Sequence, residues 1–146
     1  MTVIVDANIV ISAIIKPESE IAEILLILNN IIEFVLPEYA LEEITEHENE
    51  ICTEYDISPA VFQVRLDKIS KGLLIFSSNL LDNDILYRAE QIVRQVDIDD
   101  TIYVAFSITL DALYWTGDRK LYRALRRTGF NDVINTAELK QIIKGL

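Results

Sequence analysis

Apolar residues follow two alternating patterns along the chain, namely short continuous runs and longer stretches at helical spacing. The short runs are rich in β-branched and aromatic residues, which favours strands that are buried on both faces. Five such predicted strands cover residues 3–5, 33–36, 73–76, 112–116 and 133–134. Strands that alternate with helices indicate a parallel sheet covered on both sides. We therefore predict an α/β fold, a three-layer α/β/α sandwich with a central parallel sheet of four to five strands.

Capping residues and helix breakers set the bounds of the predicted helices. Pro37 suits a first helical position, Gly72 and Gly129 suit helix ends, and Thr136 suits the cap of the last helix. The helical segments cover residues 9–15, 19–30, 37–55, 58–71, 82–95, 97–110, 119–127 and 137–144. No repeat, low-complexity tract or linker interrupts them, so we predict one domain over residues 1–146.

Composition narrows the class of protein. The chain has 146 residues, of which 51% are apolar, and this fraction excludes a disordered chain. Its 24 acids and 13 bases give a net charge of −11, which argues against a protein that coats nucleic acid along its whole surface. One cysteine and one histidine exclude an internal disulfide and a Cys/His zinc site. Any metal would be held by oxygen, and we expect a soluble, cytoplasmic protein.

The charges are unevenly distributed along the chain. Residues 1–64 carry 13 acids and one base, whereas residues 117–146 carry three acids and seven bases. The basic end is where a phosphate-containing partner would bind most readily.

Acids occupy the ends of several predicted elements. Asp6 ends the first strand, Asp118 follows the fourth, Asp100 begins the helix before the fourth, and Glu43 lies in the helix after the second. Parallel sheets bind ligands at the carboxyl ends of their strands. Carboxylates gathered there repel one another unless cations neutralise them, and hard ions such as Mg²⁺ or Mn²⁺ suit oxygen ligands. Taken singly, each acid also suits a structural role as a helix cap or as part of a solvated helix face.

Four segments together resemble the PIN domain family of small metal-dependent ribonucleases, and the resemblance covers nearly the whole chain. The segments are residues 3–8 (VIVDAN), 39–44 (YALEEI), 97–105 (DIDDTIYVA) and 114–121 (YWTGDRKL). The last of them is the most diagnostic.

The resemblance implies a set of site residues. Its catalytic and metal-binding acids fall on Asp6, Glu43, Asp100 and Asp118, with Asn8 and Thr116 as polar supports. Glu42 competes with Glu43 for one of these roles, and Asp99 competes with Asp100. The family site uses Mg²⁺ or Mn²⁺ to hydrolyse phosphodiester bonds of RNA.

The basic helix after the last acid suggests how RNA is held. Arg119, Lys120 and Arg123 are the candidate RNA-binding residues, and at helical spacing Arg126 and Arg127 share much of the same face. A solvated helix with cations near its carboxyl end is the structural alternative. Tyr114 and Trp115 suit the core better than a base-stacking surface, and His47 suits an exposed position.

The resemblance further implies a homodimer and, as in many small relatives, a toxin that pairs with an antitoxin protein. A non-catalytic binding module on the same scaffold is the main alternative. Phosphoryl-transfer proteins fit less well, because Asn8 stands where a haloacid dehalogenase has its second Asp. A receiver domain would need an Asp at the end of a middle strand, and the run at residues 73–78 has none.

Overall fold

Five parallel strands form one sheet in the computed structural model, which describes residues 1–146. The strands are β1 (Thr2–Val5), β2 (Glu33–Pro37), β3 (Leu73–Phe76), β4 (Leu113–Trp115) and β5 (Val133–Ile134). Their order across the sheet is β3-β2-β1-β4-β5, and every neighbouring pair is parallel. The predicted α/β sandwich with a parallel sheet is therefore confirmed.

Nine helices connect the strands and cover the sheet. They are α1 (Ala7–Ile15), α2 (Glu20–Ile27), α3 (Glu38–Glu46), α4 (Glu48–Glu54), α5 (Pro59–Ser70), α6 (Asn83–Val93), α7 (Thr101–Leu110), α8 (Arg119–Arg127) and α9 (Thr136–Lys144). Short 3₁₀ turns at residues 28–30, 78–80 and 98–100 precede β2, α6 and α7. None of the helices combines the length and the apolar character that a membrane span requires.

The strand order reverses between β1 and β4, at the centre of the sheet. From β1 the chain builds outward through β2 to β3, whereas β4 and β5 lie on the other side of β1. Val5 of β1 lies beside Trp115 of β4 in the register of this pair. Because ligands bind outside the carboxyl ends of strands at such a reversal, the residues that follow β1 and β4 are the first place to look for a site.

The core lies between this sheet and its helices. Thirty-eight buried apolar residues form one cluster, which includes all of Val3, Ile4 and Val5 of the central strand. Only three polar or charged side chains are buried, and these belong to Asp6, Ser107 and Thr116. Two of the three follow β1 and β4, where the strand order reverses.

Several predicted bounds differ from the structure. The segment 37–55 holds two helices, and Pro37 ends β2 instead of starting a helix, because its backbone still pairs with Phe76. The predicted helix at 97–110 begins at Thr101, since Asp97 caps a separate 3₁₀ turn. Thr136 does not cap α9; its hydroxyl instead accepts a hydrogen bond from the Trp115 indole at 3.0 Å.

Asn135 takes the capping role that the sequence pattern assigned to the next residue. Its side chain accepts from the Glu138 amide at 2.8 Å, while the Glu138 carboxylate accepts from the Asn135 amide at 3.2 Å. This reciprocal pair satisfies two backbone donors at the start of α9. Gly129 does end the α8 segment as predicted, with a φ of +91° that few other residues adopt.

Candidate active site

Asp6 ends β1 with a buried carboxylate whose relative exposure is 4%. One oxygen, Oδ1, accepts a hydrogen bond from the Asn8 amide at 2.9 Å. The other, Oδ2, accepts from the Tyr114 hydroxyl at 2.8 Å and from the Thr116 hydroxyl at 3.0 Å. All three donors are neutral, so the negative charge is held without a cation from the chain.

Two stacked tyrosines support this carboxylate. The rings of Tyr103 on α7 and Tyr114 on β4 lie 5.3 Å apart at an interplanar angle of 6°. The Tyr103 hydroxyl accepts from the Ala7 amide at 3.2 Å, at the first residue of α1. The pair thus fixes the junction between β1 and α1. Tyr114 is fully buried, as the sequence pattern predicted, but it also has this polar role.

The predicted acids lie around one cavity of about 150 Å³ at the carboxyl edge of the sheet. Six carboxylates line it, and the lining includes no Lys, Arg or His. Its lining residues are Asp6, Asn8, Glu43, Asp97, Asp99, Asp100, Tyr103, Asp118 and Leu121. The structure thus brings together Asp6, Glu43, Asp100 and Asp118, which are distant in sequence.

The fold distinguishes the members of one competing pair of acids by their position at the cavity, but not those of the other. Glu43 lines the cavity and is half-buried, whereas Glu42 is exposed and does not line it. Asp99 and Asp100 both line the cavity. Asp99 is exposed and Asp100 is half-buried, and neither carboxylate accepts a hydrogen bond within the chain.

Burial and mutual repulsion raise the pKa values of Asp6, Glu43 and Asp100. The pKa of Asp100 rises from 3.8 to about 7, first through burial and then through the charges of Asp6, Asp97 and Asp118. Burial also raises the pKa of Asp6, against the lowering effect of its three hydrogen-bond donors. The pKa of Glu43 rises through burial and the nearby charge of Asp6. The cavity therefore favours a proton or a cation.

Asp118 has a structural contact as well as a position in the cavity. It is exposed, and its Oδ1 accepts from the amides of Lys120 and Leu121 at 3.0 and 3.1 Å, which caps α8. Its own amide donates to Thr116 Oγ1 at 3.1 Å, and that hydroxyl in turn donates to Asp6. Thr116 therefore links the two carboxylates that follow β1 and β4.

The donor set of the cavity suits a hard divalent cation. Every charged group in the lining is a carboxylate, the ligand type that Mg²⁺ and Mn²⁺ prefer. As the side chains stand, no three acidic, histidine or cysteine groups are close enough together to hold one metal ion. The fit therefore rests on the kind and number of oxygen donors at the cavity.

A second cavity, of about 520 Å³, lies beside the acidic one, and Asp118 lines both. Arg119 and Arg123 of α8 line this second cavity, whereas Lys120 lines neither. The structure thus brings two of the three predicted RNA-binding cations next to the acids. His47 is exposed, as predicted, with its Nδ1 3.3 Å from Glu50 Oε2.

Arg126 does not share the exposed face of α8 that helical spacing predicted. Its guanidinium donates to the Val133 carbonyl at 3.0 Å and to the Glu138 carboxylate at 3.1 Å. It also lies over the Tyr122 ring, 5.1 Å from the centroid. These contacts turn the side chain toward α9, so its charge is already paired.

The fold and the site together define an α/β protein with an acidic centre at the carboxyl edge of a parallel sheet. The family model of the PIN domain matches residues 4–133. Because the match spans most of the chain, this chain belongs to the PIN domain family. No curated protein matches it.

Several solved structures share the fold, and two of them are those of VapBC2 and PAE2754. The structure of VapBC2 from Rickettsia felis, bound to a DNA fragment from the VapBC2 promoter, is similar to this chain at 17% sequence identity with a TM-score of 0.66. That match covers 92% of this chain and 97% of the other. PAE2754 from Pyrobaculum aerophilum is similar at 13% identity with a TM-score of 0.72, over 100% of this chain and 91% of the other. At these identities the likeness establishes the fold.

Proposed function

We propose that this protein is a metal-dependent endoribonuclease that hydrolyses phosphodiester bonds of single-stranded RNA. The observation that carries the proposal is a cavity lined by six carboxylates and by no Lys, Arg or His side chain, at the reversal of strand order in a PIN domain. Such a cavity is costly in an apolar fold unless it binds cations, and nucleases use cations held in this way.

Four acids have the proposed catalytic and metal-binding roles, namely Asp6, Glu43, Asp100 and Asp118. A bound Mg²⁺ or Mn²⁺ ion would supply Lewis-acid chemistry, activating water and neutralising charge on the scissile phosphate. Asp6 is the most rigid of the four acids, since Tyr114, Thr116 and the Asn8 amide fix both its oxygens. Asn8 and Thr116 act as supports, Thr116 by orienting both Asp6 and the backbone of Asp118.

The cations of α8 have the proposed role of holding the RNA backbone. Arg119 and Arg123 line the cavity next to the acids and have no carboxylate partner within ion-pairing distance. Phosphates bound there would lie beside the acidic cavity without entering it. Lys120 is exposed on the same helix and adds to the local positive field.

A matched pair of neighbouring glutamates tests the proposal. Cleavage of a fluorescent single-stranded RNA is measured with Mn²⁺ and with EDTA. We expect Glu43→Gln to lower the rate about 100-fold or more, because it removes a metal ligand, and Glu42→Gln to leave it unchanged. Asp100→Asn should behave like Glu43→Gln. Cleavage that persists in EDTA, or that survives both cavity substitutions, would rule out the proposed mechanism.

Calorimetric titration with Mn²⁺ distinguishes this enzyme from a non-catalytic binding module. We expect the wild-type chain to bind Mn²⁺ and Asp100→Asn to bind it at least tenfold more weakly. A chain that shows no heat of binding, and no cleavage, would be a module that acts through contacts alone.

We further propose that the protein is a homodimeric toxin that pairs with a basic antitoxin protein. The net charge of −11 favours a basic partner, and the similar VapBC2 structure is a complex bound to promoter DNA. Co-expression with the product of the adjacent reading frame, followed by size-exclusion chromatography with light scattering, tests both points. Separate elution of the two proteins would contradict the pairing.

A further inference from the structure

A large groove lies at the end of the sheet opposite the acidic cavity. Its volume is about 880 Å³, and it runs between the end of α6 and the loop that precedes β5. Asn131 and Asp132 of that loop come before a strand, whereas Asp6 and Asp118 follow strands. Because all five strands are parallel, the two sites lie at opposite edges of the sheet. We call this surface the distal groove.

The lining of the distal groove has several hydrogen-bonding side chains and a net positive charge. Its polar lining includes two guanidinium groups, three amides and one carboxylate, which belong to Arg88, Arg94, Gln91, Gln95, Asn131 and Asp132. The three ion pairs of the chain lie elsewhere, so both arginines are unpaired. None of the three amide side chains is hydrogen-bonded within the chain. In a chain of net charge −11, this is a local surface suited to an anion.

Helix α8 connects the proposed active site to the distal groove. Arg119, Arg123 and Arg127 are four residues apart, so they lie along one face of the helix. Asp118, which caps the start of α8, lines the acidic cavity, and Thr128, which follows its end, lines the distal groove. The three exposed arginines thus form a row about 12 Å long between the two sites.

We propose that the distal groove binds the backbone of the same single-stranded RNA that enters the acidic cavity. The strand passes from the cavity along the arginines of α8, and its phosphates are held by Arg88 and Arg94. The amides of Gln91, Gln95 and Asn131 contact sugars or base edges, since each can donate and accept. This inference rests on the proposed nuclease function and adds that longer RNAs bind more tightly through a second, remote contact.

Binding of a short and a long RNA tests the proposal. Fluorescence anisotropy is measured in EDTA, over a range of salt, with single strands of about four and about sixteen nucleotides. We expect the double variant Arg88→Gln, Arg94→Gln to bind the long strand about tenfold more weakly. The slope of the logarithm of its affinity against the logarithm of the salt concentration should fall in magnitude by about 1.4. The short strand should keep its affinity, and the double variant should cleave it at the wild-type rate with Mn²⁺.

Lys68→Gln with Lys71→Gln is the matched control. Both lysines are exposed on or just after α5, next to edge strand β3, and the pair removes the same two charges. We expect this variant to bind both strands like the wild type. Equal weakening by the two double variants would indicate a general charge effect and overturn the proposal.

The remaining outcomes also decide the question. Unchanged affinity of the groove variant for the long strand overturns the proposal. If that variant instead changes the self-association of the protein in analytical ultracentrifugation, the groove is a protein-binding surface, and the proposal is overturned as well. A wild-type chain that fails to cleave the short strand with Mn²⁺ counts against the nuclease function. The anisotropy comparison still tests the groove in that case, so the two failures are distinguishable.

Discussion

At the scale of single residues, the site depends on carboxylates that the fold holds in unfavourable surroundings. Asp6 is buried, and three neutral donors contact it, yet burial still raises its pKa. The resemblance to the PIN domain family implied Asp6 and two of its partners, Asn8 and Thr116, but not the third, Tyr114. An aromatic residue in an apolar run, such as Tyr114, predicts only a core position, and its hydroxyl finds Asp6 because β4 pairs with β1.

Asp118 combines two roles that substitution can separate. Asparagine accepts the same capping hydrogen bonds as aspartate, whereas alanine accepts none. We therefore expect Asp118→Asn and Asp118→Ala both to lose RNA cleavage, but only Asp118→Ala to lower the free energy of unfolding, by about 1 kcal/mol. Urea unfolding with a parallel cleavage assay measures both effects. Full activity in Asp118→Asn would assign this residue to capping alone.

Asp100 makes the stability of the metal-free protein depend on pH. Its pKa in the fold is about 7, above its ordinary value of 3.8, so the folded state holds the proton more tightly. The contribution of Asp100 to the free energy of unfolding is therefore present in full below about pH 4 and is lost as the pH rises through about 7. We expect urea unfolding in EDTA to show this fall in the free energy of unfolding, and Asp100→Asn to reduce it.

The exposed Glu54→Gln variant is the control for that pH series. It should follow the wild-type curve at every pH. A fall of the same steepness in Asp100→Asn would assign the effect to other groups of the cavity.

At the scale of elements, helix α8 shows why charge at helical spacing does not establish function. Helical spacing grouped Arg126 with the other arginines, but the carboxylate of Glu138 on α9 lies 3.1 Å from its guanidinium. Arg123, four residues after Arg119, lines the cavity beside the acids. The partner that distinguishes the two arginines lies on another helix, so the sequence of α8 alone cannot separate them.

Neutralising each arginine in turn tests this distinction. We expect Arg123→Gln to weaken RNA binding and to reduce the salt slope by about 0.7, the effect of one phosphate contact. Arg126→Gln should leave the slope unchanged and lower the free energy of unfolding by about 1 kcal/mol, because it loses its bonds to Val133 and Glu138. Salt titration by anisotropy and urea unfolding measure the two effects. A reduced salt slope in Arg126→Gln and an unchanged slope in Arg123→Gln would contradict this account of α8.

At the scale of the whole molecule, the net charge of −11 is a sum over surfaces with different partners. Part of the negative charge lies in the acidic cavity, whereas α8 and the distal groove both carry arginines that form no ion pair. We expect a protein with this charge distribution to bind RNA along the proposed path and to repel it elsewhere. Its RNA affinity should therefore depend strongly on metal and on salt.

Metal binding should stabilise the whole fold, because the carboxylates gather only in the folded chain. At 100 times the dissociation constant, Mn²⁺ would add about 2.7 kcal/mol to the free energy of unfolding. We expect thermal unfolding to shift upward with Mn²⁺ relative to EDTA in the wild type and in Glu42→Gln, and much less in Asp100→Asn. An equal shift in all three proteins would place the ion outside the acidic cavity.

The sequence by itself determined the parallel α/β fold and the set of candidate acids. Both depend on local features, since apolar periodicity defines the elements, and parallel strands bring their carboxyl ends to one edge. The exclusion of an internal disulfide and of a Cys/His zinc site followed from composition alone.

Only the tertiary structure decided which groups contact one another. It placed Glu43, and not Glu42, in the lining of the acidic cavity, and it paired Arg126 with Glu138. It also gave the capping role to Asn135 and formed the distal groove. Gly72 is a further case, because a side chain there would clash with Asn29, which lies 43 positions earlier in the chain. The physical reason is the same throughout: a side chain's charge, hydrogen bonds and available space depend on neighbours that are distant in sequence.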